Sequence, residues 1–403
     1  MNDRANYSPP PLVAQIQQRS LIAGIVTLAF WGVGAFFNPD QIFQSYLVGY
    51  LFWTGIALGS LAVIMLQYLT GGEWGIVTRR PLEAAARTLP VLVLLFIPLA
   101  FGMQGLYTRA HAAQAAGATT ASEDPYLLTK FFLLRAAIYF VTWLLLAYLL
   151  THWSTKQDRT ADPRWSKRLQ ALSGPGLVVY GFTATFAGID WVMSLQADWN
   201  STIFGMLVMG SQVLSAFAFI IIITVLLSAF PPLSKVLVPK HFHDLGKLLL
   251  TFVMLWAYFA FSQLLIIWAG NLPEEITFYM PRFVGPWRWI GLTMIVFEFA
   301  LPFVLLLSRD LKRHARGLAV VAIILLCMRF IDLFWLVGPA FQPASVPLPW
   351  MELLVTIGLG GIWLAVYMSQ LKRQPLLPVN EPALSGVLDH ARVHQKPDEL
   401  RYE

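Results

Sequence analysis

Among the ionisable side chains within stretches apolar enough to cross a bilayer are Lys130, Arg135, Asp190, Glu298, Arg329, Asp332 and Glu352. A charge at mid-bilayer costs roughly 2.5–3.5 kcal/mol on insertion scales, so such groups face a bundle interior and find partners or carry ions. Arg329 and Asp332 are three apart, share one helix face and suit an internal ion pair. Lys130 and Arg135 differ by five and point in different directions. One of them is expected to pair with Asp190, which sits at a similar depth in "FAGIDWVMSLQADW". Glu298 has no evident cation in sequence. A protonatable carboxyl at its depth suits a proton relay, with a hydrogen-bonded structural acid as the plain alternative. Glu352 opens the last apolar run.

A second constellation lies in "HFHDLGKLLLTFVMLWAYFAFSQLLIIWAGNLPEEI". His241, His243, Asp244 and Lys247 mark its start. Tyr258 and Ser262 are one turn apart, and Gln263 adjoins them. They suggest a ladder of hydroxyl, amide and water leading to His243 and Asp244. Helix–helix hydrogen bonding, worth about 0.6 kcal/mol per contact, is the plainer reading. The proton-path candidates are therefore Asp190, Glu298, Arg329, Asp332, Tyr258, Ser262, Gln263, His243 and Asp244. The HFHD cluster sits at a water boundary without other Cys or His nearby, so no metal is expected there. His111, His152, His241, His243, His314, His390 and His394 all fall in loops, tails or span ends, which argues against a haem held within the bilayer. Cys327 is the single cysteine, which excludes an intrachain disulfide and a thiolate-ligated iron–sulfur cluster.

The elements that must position these groups are membrane helices. The chain is 57% apolar, 14% aromatic and only 12% charged, against about 25% charged residues in ordinary soluble domains. Several apolar runs exceed the ~18 residues that mark a span. Ten spans are predicted, at 21–37, 42–69, 82–102, 126–152, 166–197, 202–229, 243–270, 285–308, 315–340 and 350–371. The N-terminal 1–20 is too polar and too long for a signal peptide. The net charge of +6 matters here through its distribution rather than as a nucleic-acid signal.

Alternate segments carry the cations: Arg4 and Arg19; Arg79 and Arg80; Lys156, Arg159, Arg164, Lys167 and Arg168; Lys235 and Lys240; Arg309, Lys312, Arg313 and Arg316; and Lys372, Arg373, Arg392, Lys396 and Arg401. The other loops hold Arg109 and Arg282, with Arg288 at a span edge. Because cytoplasmic loops retain Lys and Arg, both termini are expected to be cytoplasmic. Trp199, Trp268, Trp287, Trp289 and Trp350 are expected at the outer edge, and Trp74, Trp153 and Trp165 at the inner one. Asp162 and Pro163 offer an N-cap and first turn to the fifth span. The tail, 372–403, is polar and Pro-containing, and is expected to be extended or docked on a neighbour.

The stretch "HDLGKLLLTFVMLWAYFAFSQLLIIWAGNLPEEITFYMPR" resembles the signature of the ActF-type membrane subunit of bacterial alternative complex III, of the polysulfide-reductase membrane-subunit (NrfD-like) family. "FFLLRAAIYF" and "TATFAGIDWVMSLQADWNSTIFG" are similar to the same subunit, and the likeness runs roughly from span two to span ten. It implies an all-α polytopic fold with two four-helix bundles, about 42–197 and 202–340, flanked by spans one and ten. It also implies a place in a bacterial inner-membrane complex that oxidises quinol and reduces cytochrome c or a terminal oxidase. Haem c and iron–sulfur clusters would belong to partner subunits, and none to this chain. The partners implied are a sister NrfD-like subunit, an iron–sulfur subunit, cytochrome c subunits and a terminal oxidase. A quinone on this chain is possible, although the sister subunit is the better candidate for its site. This chain would support assembly and proton movement.

Two other readings remain open. An independent secondary transporter would fit ten spans with buried charges, but no pair of Gly/Pro-broken half-helices stands at matching places in two halves. A purely structural membrane anchor would use the buried acids only as ion pairs.

Overall fold

The computed structural model describes residues 7–37, 39–114, 129–196 and 199–395. Arg4, Lys396 and Arg401 lie outside them, as do the side chains of Arg109, His111, His390, Arg392 and His394. No strand occurs among the described residues, and ten helices are long and apolar enough to cross a membrane. The chain is an all-α, multi-pass membrane protein.

In chain order the helices are α1 (Leu12–Phe37), α2 (Ile42–Thr70), α3 (Glu73–Ala86), α4 (Leu89–Gln114), α5 (Thr129–Thr160), α6 (Arg164–Trp191), α7 (Phe204–Leu227) and α8 (Pro239–Gly270). Short helices α9 (Pro273–Ile276) and α10 (Met280–Phe283) follow. Then come α11 (Trp287–Met294), a π turn (Ile295–Ala300), α12 (Leu301–Leu307), α13 (Arg309–Arg313), α14 (Ala315–Val337), α15 (Trp350–Lys372) and α16 (Leu384–Gln395).

Helices α2, α4, α5 and α6 pack in one group, and α7, α8, α11–α12 and α14 in another. The seam between the groups runs along α2 and α7. It is tight because Gly59 has no side chain: a Cβ there would collide with the main chain of Gln212. The flanking helices α1 and α15 pack on each other, and α15 also lies on α2. Gly24 and Gly361 let the α1 and α15 backbones meet, the small-residue contact common between membrane helices. Trp53 Nε1 then ties α2 to α15 by donating to Thr356 O at 2.8 Å. Outward faces stay apolar, as with Ile25 and Phe30 on α1 and Phe261, Ile266 and Trp268 on α8.

Several expected boundaries shift. The first helix starts at Leu12 rather than 21, and the third apolar span is preceded by the separate helix α3. The charged α3 sequence (Arg79, Arg80, Glu83) hides it from an apolar-run reading, yet its residues are buried. The described part of the tail, residues 373–395, docks on the chain itself. It doubles back onto this chain's own α3 as α16, burying Leu376, Leu377, Leu384 and Val387. The Leu376 N–H donates to Tyr7 O at 2.8 Å, so the two terminal segments meet at one end of the molecule. Trp268, Trp289 and Trp350 are exposed, but Trp199 and Trp287 are core residues and not interface anchors.

Candidate functional site

The second bundle holds its carboxyls against one another. Glu298 is 1% exposed, and neither of its carboxylate oxygens has a hydrogen-bond partner. It stands on the π turn, which packs against α14. The charges that reach it are those of Asp332 and Arg329 on that helix. Arg329 and Asp332 form a direct ion pair through Nη1 and Oδ2, both buried. The pair expected from their spacing is thus present, and it adjoins the acid for which the sequence offered no partner.

A local reason for the π turn is Pro302, the second residue of α12. Its ring would strike the carbonyl of the residue four positions earlier, Glu298, and it has no N–H to give. Widening the turn by one residue avoids the clash. Such π insertions recur at functional positions in helices. Chemically, Glu298 can take up or release a proton without first breaking a hydrogen bond, next to a pair whose charges sum to zero.

Asp190 has the opposite surroundings. It is fully buried near the end of α6, and its Oδ2 accepts from Arg135 Nε at 2.8 Å and from the Tyr139 hydroxyl at 2.8 Å. Its main-chain oxygen accepts from the Tyr107 and Ser194 hydroxyls, each at 2.6 Å. Of the two cations expected to compete, Arg135 makes the pair while Lys130 lies on the exposed surface. Trp191 does not sit at an interface. It packs among Tyr50, Phe96, Phe140 and Trp143 in the core of the first bundle. Asp190 is therefore a counter-ion to Arg135 set among aromatic side chains of the first bundle.

The ladder along α8 does not form as expected. Tyr258 is 63% exposed on the outer face, and Ser262 is half-buried beside it. Gln263 turns inward, because residues 256, 259, 263 and 267 mark the buried stripe of the helix. Gln263 accepts from Ser201 Oγ at 3.2 Å and donates to the Tyr279 hydroxyl at 3.3 Å, at the end away from the termini. His243 and Asp244 are half-buried at the other end, where Lys247 Nζ approaches Asp244 at 3.4 Å. Neighbours in sequence thus point to different sides of one helix.

The sequence reading missed a further cluster at the tail end of the first bundle. Arg79 and Arg80 were expected as loop charges, but they lie buried on α3. Arg80 pairs with Glu83 at 2.7 Å and with Asp158 on α5, and it donates to Ser154 Oγ and to Gln374 Oε1. Arg79 donates to Glu381 of the tail at 2.6 Å, and Gln157 Nε2 donates to the same carboxylate oxygen at 3.0 Å. Asn380 closes the cluster by donating to Asp158 O at 2.8 Å. The one available signal was local: Arg80 and Glu83 have the i, i+3 spacing of a helical ion pair.

Compared with known proteins, the chain matches no family model, and no curated protein is similar to it.

Proposed function

We propose that the chain is the integral membrane subunit of a quinol-oxidising respiratory complex of the ActF kind, and that it passes protons through its second bundle. The family assignment rests on the motifs quoted above. The proton role rests on one observation: Glu298 is buried on a π turn with no hydrogen bond to its carboxyl, beside the Arg329–Asp332 pair. In this reading Glu298 exchanges the proton and the ion pair sets the local field. Asp190–Arg135 and the α3–α5–tail cluster hold the first bundle together. The termini and the Arg-rich end face the cytoplasm of a bacterium. The partners would be a sister NrfD-like subunit, an iron–sulfur subunit and c-type cytochromes, with a terminal oxidase as acceptor.

Two measurements test the parts separately. Affinity purification of the tagged chain from native membranes should bring down haem c and iron–sulfur proteins in fixed ratio; recovery of this chain by itself would favour a transporter. Glu298→Gln keeps shape and polarity but cannot exchange a proton. It should leave assembly and quinol oxidation in detergent intact while reducing proton movement in proteoliposomes. Full proton movement in an assembled Glu298→Gln complex would make Glu298 a structural acid.

A further inference from the structure

At the end of the molecule away from the termini, one cation is buried among neutral groups. Arg282 lies on α10, between membrane spans, and is 1% exposed. Its Nη1 donates to Phe278 O at 2.6 Å, and its Nη2 donates to Leu336 O, near the C-terminus of α14, at 2.9 Å. The guanidinium sits 3.7 Å from the centroid of the Phe278 ring and 5.1 Å from that of Trp335. The carbonyls at a helix C-terminus and the ring faces attract the cation, but each supplies only partial charge. Among the described residues no ion pair to Arg282 occurs, and Tyr279 is the ionisable group that reaches it. Burial pushes the guanidinium down to about 9, so it remains charged at neutral pH.

Two donors here have no acceptor. Arg282 Nε and Trp199 Nε1 are both buried without a hydrogen-bond partner. Both residues line one small, partly open recess, together with Gln196, Phe204 and Phe278. Trp199 is held in place by stacking on Phe278, with ring centroids 4.1 Å apart. A ligand for this recess must accept from two N–H groups, carry negative charge to offset the guanidinium, and tolerate aromatic walls. We infer that the recess between Arg282 and Trp199 binds a small monovalent anion of the halide class. The inference is independent of the proton role given to Glu298, which lies on another element.

The test uses the full chain, purified in detergent, with chloride or bromide exchanged for gluconate at constant pH and ionic strength. The thermal midpoint should rise saturably with either halide and not with gluconate. Trp199→Phe keeps the stack on Phe278 but removes one donor. Losing one hydrogen bond to the ion should raise the half-saturating chloride about tenfold. Arg282→Gln should abolish the halide response; if that variant does not fold, Trp199→Phe decides the matter. A wild-type midpoint indifferent to halide would mean that the recess takes water only. An identical halide response in wild type and Trp199→Phe would place the ion elsewhere. Either result overturns the inference.

Discussion

Asp190 and Glu298 are both buried carboxyls on membrane helices, but substitution separates them. Asp190→Asn removes the charge opposite Arg135 while keeping an acceptor for Tyr139. Removing one partner of a buried ion pair costs about 3–5 kcal/mol. Arg135 keeps 20% of its side chain exposed, so the low end, about 3 kcal/mol, is expected, read as a fall in unfolding stability in detergent. Glu298→Gln breaks no hydrogen bond and should change stability by less than about 1 kcal/mol. If the two variants were equally destabilised, the contrast drawn from their surroundings would fail. The Asp190 and Arg329 pairs could be anticipated from the sequence because each depends on depth and helical spacing. The Arg79–Glu381 contact could not, since its partners are 302 residues apart and only the folded tail brings them together. Tyr258 misled because proximity in sequence was taken for a shared face: 258 and 263 are five positions apart, more than a full turn.

At the scale of elements, the π turn and the tail are the features that depart most from a plain count of apolar runs. Pro302 is the local cause argued for the π turn. Pro302→Ala should let α11 and α12 join as regular α-helix, rotating the residues before the turn by about 100° relative to those after it. Glu298 would then leave its place beside α14. Proton movement should fall as it does in Glu298→Gln, and combining the two substitutions should cause no further loss. Full proton movement in Pro302→Ala would show that the wide turn does not position the acid. The tail makes a separate prediction. Glu381→Gln keeps an acceptor for Arg79 and Gln157 but loses the charge, a change of about 2 kcal/mol for a hydrogen bond to a charged group. Proteolysis between 373 and 395 should speed up in that variant, while membrane spans elsewhere keep their protection. Part of this docking was legible: Leu384, Val387 and Ala391 recur at helical spacing and are all buried. The polar, Pro-containing composition masked that stripe. Helix α3 was masked in the same way by its charges.

For the whole molecule, ten spans place both terminal segments at one end, and the Leu376–Tyr7 hydrogen bond joins them there. Which side of the membrane that end faces follows from charge. Folding removes part of the evidence, because Arg79 and Arg80 end in ion pairs with Glu83, Asp158 and Glu381. The orientation rule, however, counts Lys and Arg near span ends as the chain inserts, and acidic residues contribute little to it. Arg79 and Arg80 therefore still count, together with Arg159, Arg164, Lys167, Arg168, Lys235, Lys240, Lys312 and Arg313 at the same end. Against them, the opposite end has Lys130, Arg282 and Arg288 among its described side chains, and Arg282 is sealed in the fold. The expected orientation has the termini in the cytoplasm. Cysteine labelling can read this directly, because Arg159 and Glu274 are both exposed and lie at opposite ends. Cys327 faces outward from α14 and would be changed to serine as a background. In intact cells or right-side-out vesicles, an impermeant maleimide should label Glu274→Cys and spare Arg159→Cys until the membrane is opened. The reverse pattern would invert the molecule and place its termini outside the cytoplasm. Labelling of both sites from one side would be incompatible with the three crossings, α6, α7 and α8, that separate Arg159 from Glu274.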